Sequence, residues 1–376
     1  MALVPLLLLL VLAGAWVYCA LIVYAVQHYR AVRPAILRVP VPISVLKPLA
    51  GADEGLEKNL RSFFRQDYPD FELLFAVRHP DDPAVAVLMK LRQEHPGVSA
   101  RLIVTGEPPY PNAKVYSLDR MLLEAQHDLV VMSDSDIRVT PGMLRVIAAE
   151  FQDPRLGLTT CPYRAVPGQG LWSQLEAIGM NTEFLAGVLV ARVVEGMKFA
   201  VGPTIVARRA ALTSIGGFDE LRDYLAEDFV MGKLVHERGW RVGLSSCVVE
   251  HRIGSQGFAA NLRHRLRWVR STRRSRPGGY VGQLFTNPLP IALLMVAVQP
   301  SWWPLLPLTL VLRALAAWAV AGAVLRDSLT ARRWWLVPVQ DILSFIMWIA
   351  GFFGNTITWR GRKYHLEADG RFKLLS

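Results

Sequence analysis

The stretch that decides the fold is Val130–Val139, V-V-M-S-D-S-D-I-R-V. An apolar run, Leu129 to Met132, ends in Ser133 and is followed by two carboxylates, Asp134 and Asp136, two positions apart. Side chains two apart on an extended chain project to one side, so both carboxylates are expected to face one ligand at the C-terminal end of a strand. Open α/β sheets bind their ligands at that end. Paired carboxylate oxygens with no Cys or His beside them suit a hard cation, Mg2+ or Mn2+, that also bridges phosphate oxygens. A polar turn after a strand would carry the same residues, so the surroundings must decide.

The 376 residues allow about two domains, and the 52% hydrophobic content is concentrated toward the ends. Residues 2–26 carry no charge, which is 25 residues and enough to cross a hydrocarbon core of ~30 Å at ~1.5 Å per residue. A cleaved signal peptide would want a basic start, a shorter apolar core and a small-residue cleavage site, and none stands out. His28, Arg30, Arg33 and Arg38 follow at once, so the positive-inside rule places the downstream chain in the cytoplasm. Cys19, Cys161 and Cys247 lie far apart without C-x-x-C spacing, which argues against a disulfide framework or a structural zinc. The net charge of +11 fits nucleic acid or an anionic membrane face. With apolar segments at both ends, an anionic bilayer is the expected partner and nucleic acid is not.

In chain order, a Pro- and Arg-containing linker (33–42) precedes a β-branched strand at 43–49, a helix at 54–66 and a strand at 71–77. Asp82 is placed to cap a helix that begins at Pro83 and runs to about Glu94. A strand at 100–104 and a helix at 113–126 then lead into the strand before Asp134. Strands alternating with helices predict an α/β fold built on βαβ units. Further on, 157–164 and 199–207 read as strands, 171–194 as a largely apolar helix, and 224–238 as a helix. Glu176, Asn181, Thr182, Glu183 and Arg192 make it costly for the 171–194 helix to cross a bilayer. Seven arginines fall between Arg263 and Arg276. Residues 286–356 are membrane-like, and 357–376 form a polar, basic tail.

The run Leu60–Val77, Asp81-Asp82, Asp134 with Asp136, Glu227-Asp228 and Arg267-Trp268 come in the order of glycosyltransferase family 2. More narrowly, L-K-P-L-A-G (46–51), D-D-P-A (81–84), N-x-K (112–114) and Y-L-A-E-D-F (224–229) resemble the ceramide glucosyltransferase branch and its bacterial, hopanoid-glycosylating relatives. The resemblance covers about residues 40–290. It implies a GT-A fold with a Rossmann-like mixed sheet and flanking helices. An anchor at 1–27, a cytoplasmic domain at 40–285, membrane segments at 286–356 and a multi-pass location, in a bacterial inner membrane, would go with it. The implied donor is a UDP-sugar, and the implied acceptor is a membrane-lipid hydroxyl. Carried over by position, Asp82 would contact the uridine, and Lys47 and Lys114 would join the donor site. Asp134 and Asp136 would hold the metal and diphosphate, Asp228 would be the general base, and Arg267 with Trp268 would bind diphosphate and wall the acceptor site. Two departures point to bacterial members: His264 stands where the arginine-tryptophan motif usually opens with Gln or Arg, and Asp136 supplies a second acid that animal members lack.

The chemistry accounts for these residue types. Displacing a nucleoside diphosphate from an anomeric carbon builds negative charge on the leaving group, which a divalent cation and a bidentate guanidinium would stabilise. The attacking hydroxyl must lose its proton, so a carboxylate within hydrogen-bond reach is needed. One base and no second nucleophile imply inversion. Glu227, about 100 degrees around the helix from Asp228, is expected to point elsewhere. Arg270, Arg273, Arg274 and Arg276 are expected to face anionic lipid, and Lys47 and Lys114 could equally be solvated surface lysines. Glucose and N-acetylglucosamine, and ceramide and hopanoid, all remain open. The competing classes are a processive polysaccharide synthase, which usually carries Gln at the position of His264, and a polybasic membrane protein without enzymatic activity.

Overall fold

The structure is a computed structural model that describes residues 3–32, 35–359 and 362–375; Arg33 and part of the linker, and Arg360 of the basic tail, lie outside this set. Among the described residues, ten strands lie between residues 43 and 254: β1 (Ile43–Pro48), β2 (Phe71–Val77), β3 (Ser99–Val104), β4 (Leu129–Ser133), β5 (Ile137–Arg138), β6 (Leu156–Thr160), β7 (Tyr163–Pro167), β8 (Thr204–Arg208), β9 (Arg241–Leu244) and β10 (Val249–Gly254). The main sheet runs β3-β2-β1-β4-β8-β6-β9. Its first four strands are parallel, as the alternation with helices predicts, and β8 enters antiparallel to both β4 and β6. A small sheet, β5-β10-β7, stands beside the ends of these strands.

The central strands are apolar on both faces because helices cover both. Val45, Leu73, Phe75 and Val131 point into one core with Leu60, Phe63, Leu88 and Ile147, while Leu46, Leu74 and Val130 point into the other with Leu118 and Phe218. The helix after β2 starts as expected: Asp82 accepts from Ala84 N at 2.9 Å, with Pro83 in the first turn. Two expectations shift. The strand expected at 157–164 breaks into β6 and β7, and the one at 199–207 begins only at Thr204.

Among the described residues, three helices are long and apolar enough to cross a membrane: Leu3–Arg30, Leu171–Val194 and Leu305–Val324. Pro277–Phe285 and Pro288–Val298, bent by 54°, form a further candidate. The 171–194 helix is 67% buried over its most apolar window, against 22% for Leu3–Arg30, so it serves as an internal wall. Leu336–Gly351 has 16 residues, about 24 Å at ~1.5 Å per residue, which is shorter than a hydrocarbon core of ~30 Å.

The expected polar tail is instead a sheet. Strands β11 (Thr356–Trp359), β12 (Arg362–Leu366) and β13 (Phe372–Leu374) pair antiparallel, and Ile357, Tyr364, Leu366 and Phe372 form an apolar cluster against Leu225. Phe372 N donates to Asp223 O at 2.9 Å. Because this sheet docks on the loop just before Glu227, β11 to β13 lie on the same side of any bilayer as the main sheet. A C-terminal tag and the 134–228 region should therefore be protease-accessible from the same face of sealed membrane vesicles. Accessibility only from the opposite face would contradict this docking.

Candidate active site

The strand β4 stops at Ser133, and Asp134 to Asp136 form a turn: Asp134 N donates to Pro203 O at 3.0 Å and Ile137 N to Asp134 O at 3.3 Å. The same-side argument for the two carboxylates therefore fails, because it holds only on an extended chain. Each has its own cation. Asp134 Oδ1 is 2.8 Å from Lys114 Nζ, and Asp136 Oδ2 is 3.0 Å from His251 Nε2. Both aspartates nonetheless line one cavity of about 1320 Å³, which also takes in Asp82, Lys114, Asp228, Arg267 and Trp268.

Lys114 is not a solvated lysine. Its ammonium bridges Asp134 and Glu227, at 2.8 and 3.0 Å. Burial disfavours its charge, but Asp134 and Glu227 outweigh burial and hold its pKa above the ordinary lysine value. Glu227, expected to point elsewhere, is turned into the site by this contact. Burial pushes its carboxyl pKa up, and Asp228 adds to the effect against the pull of Lys114. Asp228 is the less enclosed of the two: Oδ2 accepts from Gly202 N, Oδ1 accepts from Phe229 N at 2.8 Å, and the carboxylate borders the cavity. A Cβ on Gly202 would sit 3.2 Å from Asp228 Oδ2, so a larger residue there would press on this carboxylate.

Lys47 does not line the cavity, which corrects its assignment to donor contact. It is fully buried, with Nζ 2.8 Å from Asp134 O, 3.4 Å from Ser133 O and 3.7 Å from the centre of the Phe63 ring. Burial pulls its pKa down to about 7, with Asp134 and Asp136 acting in the other direction. Lys47 holds the acidic turn from beneath. Asp82 does two jobs beside the cavity, capping its helix and accepting from Gly51 N at 3.0 Å.

Several site residues escape a reading of the sequence. His251, on β10, reaches Asp136 across 115 positions. Burial opposes its charge, yet the Asp136 carboxylate raises its pKa above the usual imidazole value; the same contact holds Asp136 low despite burial. Glu176 accepts from His264 Nδ1 and Asn261 Nδ2, and His264 packs on Trp268 at 5.2 Å between centroids. The departure from Gln or Arg at position 264 is thus matched by a carboxylate partner. Four arginines expected to face lipid are engaged by the protein: Arg270 with the carbonyls of Phe353 and Thr356, Arg273 with Phe352, Gly354 and Asn355, Arg274 with Asn355, and Arg276 with Glu195.

With the geometry in place, comparison with known proteins is informative. The family profile described as Glycosyl transferase family 21 matches residues 7–372. The chain belongs to glycosyl transferase family 21. Family members of known name include ceramide glucosyltransferase 1 of Caenorhabditis elegans, 26% identical over 88% of this chain and 73% of that protein. Ceramide glucosyltransferase 3 of the same organism is 25% identical over the same shares. The mannosyltransferase PcManGT of Pyrobaculum calidifontis, solved with GDP-Man and Mn2+, aligns with 92% of this chain and 98% of its own at a TM-score of 0.55 and 16% identity. That likeness carries the fold, and the α/β architecture is the GT-A one expected. This family 21 chain is a glycosyltransferase.

Two measurements probe the ion pairs. Lys47→Met leaves the carbonyls of Ser133 and Asp134 without their buried donor, so it should destabilise the protein by ~1–3 kcal/mol, read as a lower melting temperature. For His251, a raised folded pKa gives stability that is complete below the ordinary imidazole value of ~6.5 and fades as pH rises through the folded value. In metal-free buffer, the advantage of wild type over His251→Gln in thermal unfolding should therefore shrink from pH 6 to pH 9.

Proposed function

We propose that this chain transfers a hexose from a UDP-sugar to the hydroxyl of a membrane lipid, with inversion at the anomeric carbon. The observation that carries this reading is one cavity bordered by the acidic turn, by the open carboxylate of Asp228 and by the helices at 171–194 and 336–351. A nucleotide-sugar and a lipid headgroup can therefore meet at one base. The names of the relatives point to glucose and ceramide; N-acetylglucosamine and a hopanoid polyol are the second pair to test.

On the donor side, the residues fit a divalent cation. Asp136 Oδ1 is buried with no hydrogen-bond partner among the described residues, so it has a lone pair to give. Among those residues no three His, Cys, Asp or Glu side chains form a ligand cluster. This suits Mg2+ or Mn2+, which takes one or two carboxylates and completes its shell with water and substrate phosphates. Asp134 and Asp136 would hold it, and its chemistry is to neutralise charge on the departing diphosphate. Arg267, at the cavity wall, adds a guanidinium for the same charge. Trp268, wedged between Phe184 and His264, walls the acceptor side.

Asp228 takes the proton of the attacking hydroxyl. The Gly202 N–H fixes its orientation while leaving it at the cavity surface. Glu227 is a weaker candidate for the base, because Lys114 holds one of its oxygens and the other lies 3.5 Å from Asn112 Nδ2. Asp228→Asn should bind UDP-sugar nearly normally and lose ~100 to 10,000-fold in kcat. Glu227→Gln should lose less in kcat at saturating donor. The opposite ranking would move the base to Glu227. Thorough chelation should abolish transfer and added Mg2+ or Mn2+ should restore it; activity that survives chelation would remove the cation from the reading.

A further inference from the structure

The wall of the cavity away from the acidic turn carries a polar chain with a defined direction. Arg265 Nη2 donates to Gln340 Oε1 at 3.0 Å, Gln340 Nε2 to Ser344 Oγ at 2.8 Å, and Ser344 Oγ to Glu183 Oε2 at 2.6 Å. The other oxygen of Glu183 accepts from Asn287 Nδ2 at 3.1 Å. Every side chain in this chain borders the cavity. It links helices far apart in sequence, and hydrogen bonds running head to tail polarise one another.

Asn287 is where the chain is left open. It is 2% exposed, and its Oδ1 has no hydrogen-bond partner among the described residues. Its amide orientation follows from its neighbours. The Thr286 hydroxyl donates to Gln283 O at 2.8 Å, so toward Asn287 Nδ2, 3.0 Å away, it can only accept. Glu183 Oε1 is an acceptor as well. Both amide hydrogens are thus engaged, and turning the amide over would bring its oxygen against two acceptors. What remains is a buried acceptor without a hydrogen-bond partner among the described residues, on a side chain that borders the cavity, and such an arrangement costs free energy until a donor reaches it.

We propose that Asn287 is a specificity-determining residue that accepts a hydrogen bond from a second donor on the acceptor lipid, an amide N–H or a hydroxyl other than the one that is glycosylated. The proposal rests on the lipid glycosyltransfer reading above. A pocket built to receive a hydrogen bond rejects the analogue that lacks the donor, because its own buried acceptor is then left unpaired. The apolar neighbours Met180, Phe184, Met347 and Trp348 line the same cavity and would take hydrocarbon next to the polar point.

The experiment uses the full chain in nanodiscs with a fixed UDP-sugar and three acceptors of matched chain length. An N-acyl amino alcohol supplies the amide N–H, a monoalkylglycerol supplies a second hydroxyl, and a 1,2-diacylglycerol supplies neither. Wild type should favour one or both of the first two over the diacylglycerol by roughly tenfold or more in kcat/KM, and which of them leads names the donor group. In Asn287→Ala, kcat/KM on the favoured acceptor should fall about tenfold and the gap to the diacylglycerol should close, with UDP-sugar binding by calorimetry kept as the control for folding. Equal use of all three acceptors by wild type overturns the proposal even if the variant fails to fold, as does an equal loss on all three in a variant that still binds donor. Absence of transfer to any lipid would instead sink the lipid glycosyltransfer reading itself.

Discussion

The site depends on one ammonium group. Lys114 sits between Asp134 at 2.8 Å and Glu227 at 3.0 Å, and so ties the turn after β4 to the first turn of the helix Glu227–Glu237. Four carboxylates, Asp134, Asp136, Glu227 and Asp228, border one cavity, and like charges ~4 Å apart cost about 4 kcal/mol at an effective dielectric of ~20. Such a cluster keeps its charges only if cations are interleaved. Lys114 serves Asp134 and Glu227, His251 serves Asp136, and Lys47 lies beneath the turn. Asp228 is the member left to two backbone N–H groups, which is why it is the one proposed as the base.

The same economy explains the arginine-rich helix Phe258–Ser275. One face makes the site, through His264, Arg267 and Trp268. Its last turns hold another structure. The helix Leu336–Gly351 ends beside it, and the terminal carbonyls of a helix lack intrahelical donors. Arg270 and Arg273 supply donors to Phe352, Phe353, Gly354 and Thr356, and Arg273 and Arg274 share the Asn355 side chain. That turn launches β11 to β13, whose far strand bonds to Asp223, four residues before Glu227. A charge run that composition assigns to lipid therefore braces the loop leading to Glu227 and Asp228.

The first half of the fold was legible because its signals are local. Near-continuous apolar runs mark β1, β2 and β4, and Asp82-Pro83 marks a helix start that the structure reproduces. The site was legible as a set of residues more than as contacts. Asp82, Lys114, Asp134, Asp136, Asp228, Arg267 and Trp268 do border one cavity, but Lys47 lies beneath it, and the acidic pair reaches the cavity from a turn after Ser133 and not from an extended strand. His251 and Glu176 were not legible as partners, since their contacts join positions 115 and 88 apart. A weak signal existed for Glu176 and Glu183. Seven residues apart, they fall on one face of an otherwise apolar helix, where a carboxylate without a function is costly. The C-terminal sheet gave none, because strands of three to five residues are too short to establish a period of two.

The C-terminal apolar helices are joined to the site by a buried charge pair. Arg313, in Leu305–Trp318, binds both oxygens of Asp341, in Leu336–Gly351, through contacts of 2.8 to 3.1 Å. Its guanidinium also approaches the Thr182 hydroxyl at 3.4 Å, inside the π-turn Met180–Phe184 of the wall helix. Such a pair adds little net stability over apolar packing, but losing one member strands a buried charge at a cost of ~3–5 kcal/mol. Its consequence is therefore positional. The three helices can pack only in the register that brings Arg313, Asp341 and Thr182 together. That register also brings Gln340 and Ser344 to Glu183, one residue beyond Thr182, so the geometry of the cavity wall is set by a contact that does not itself face the cavity.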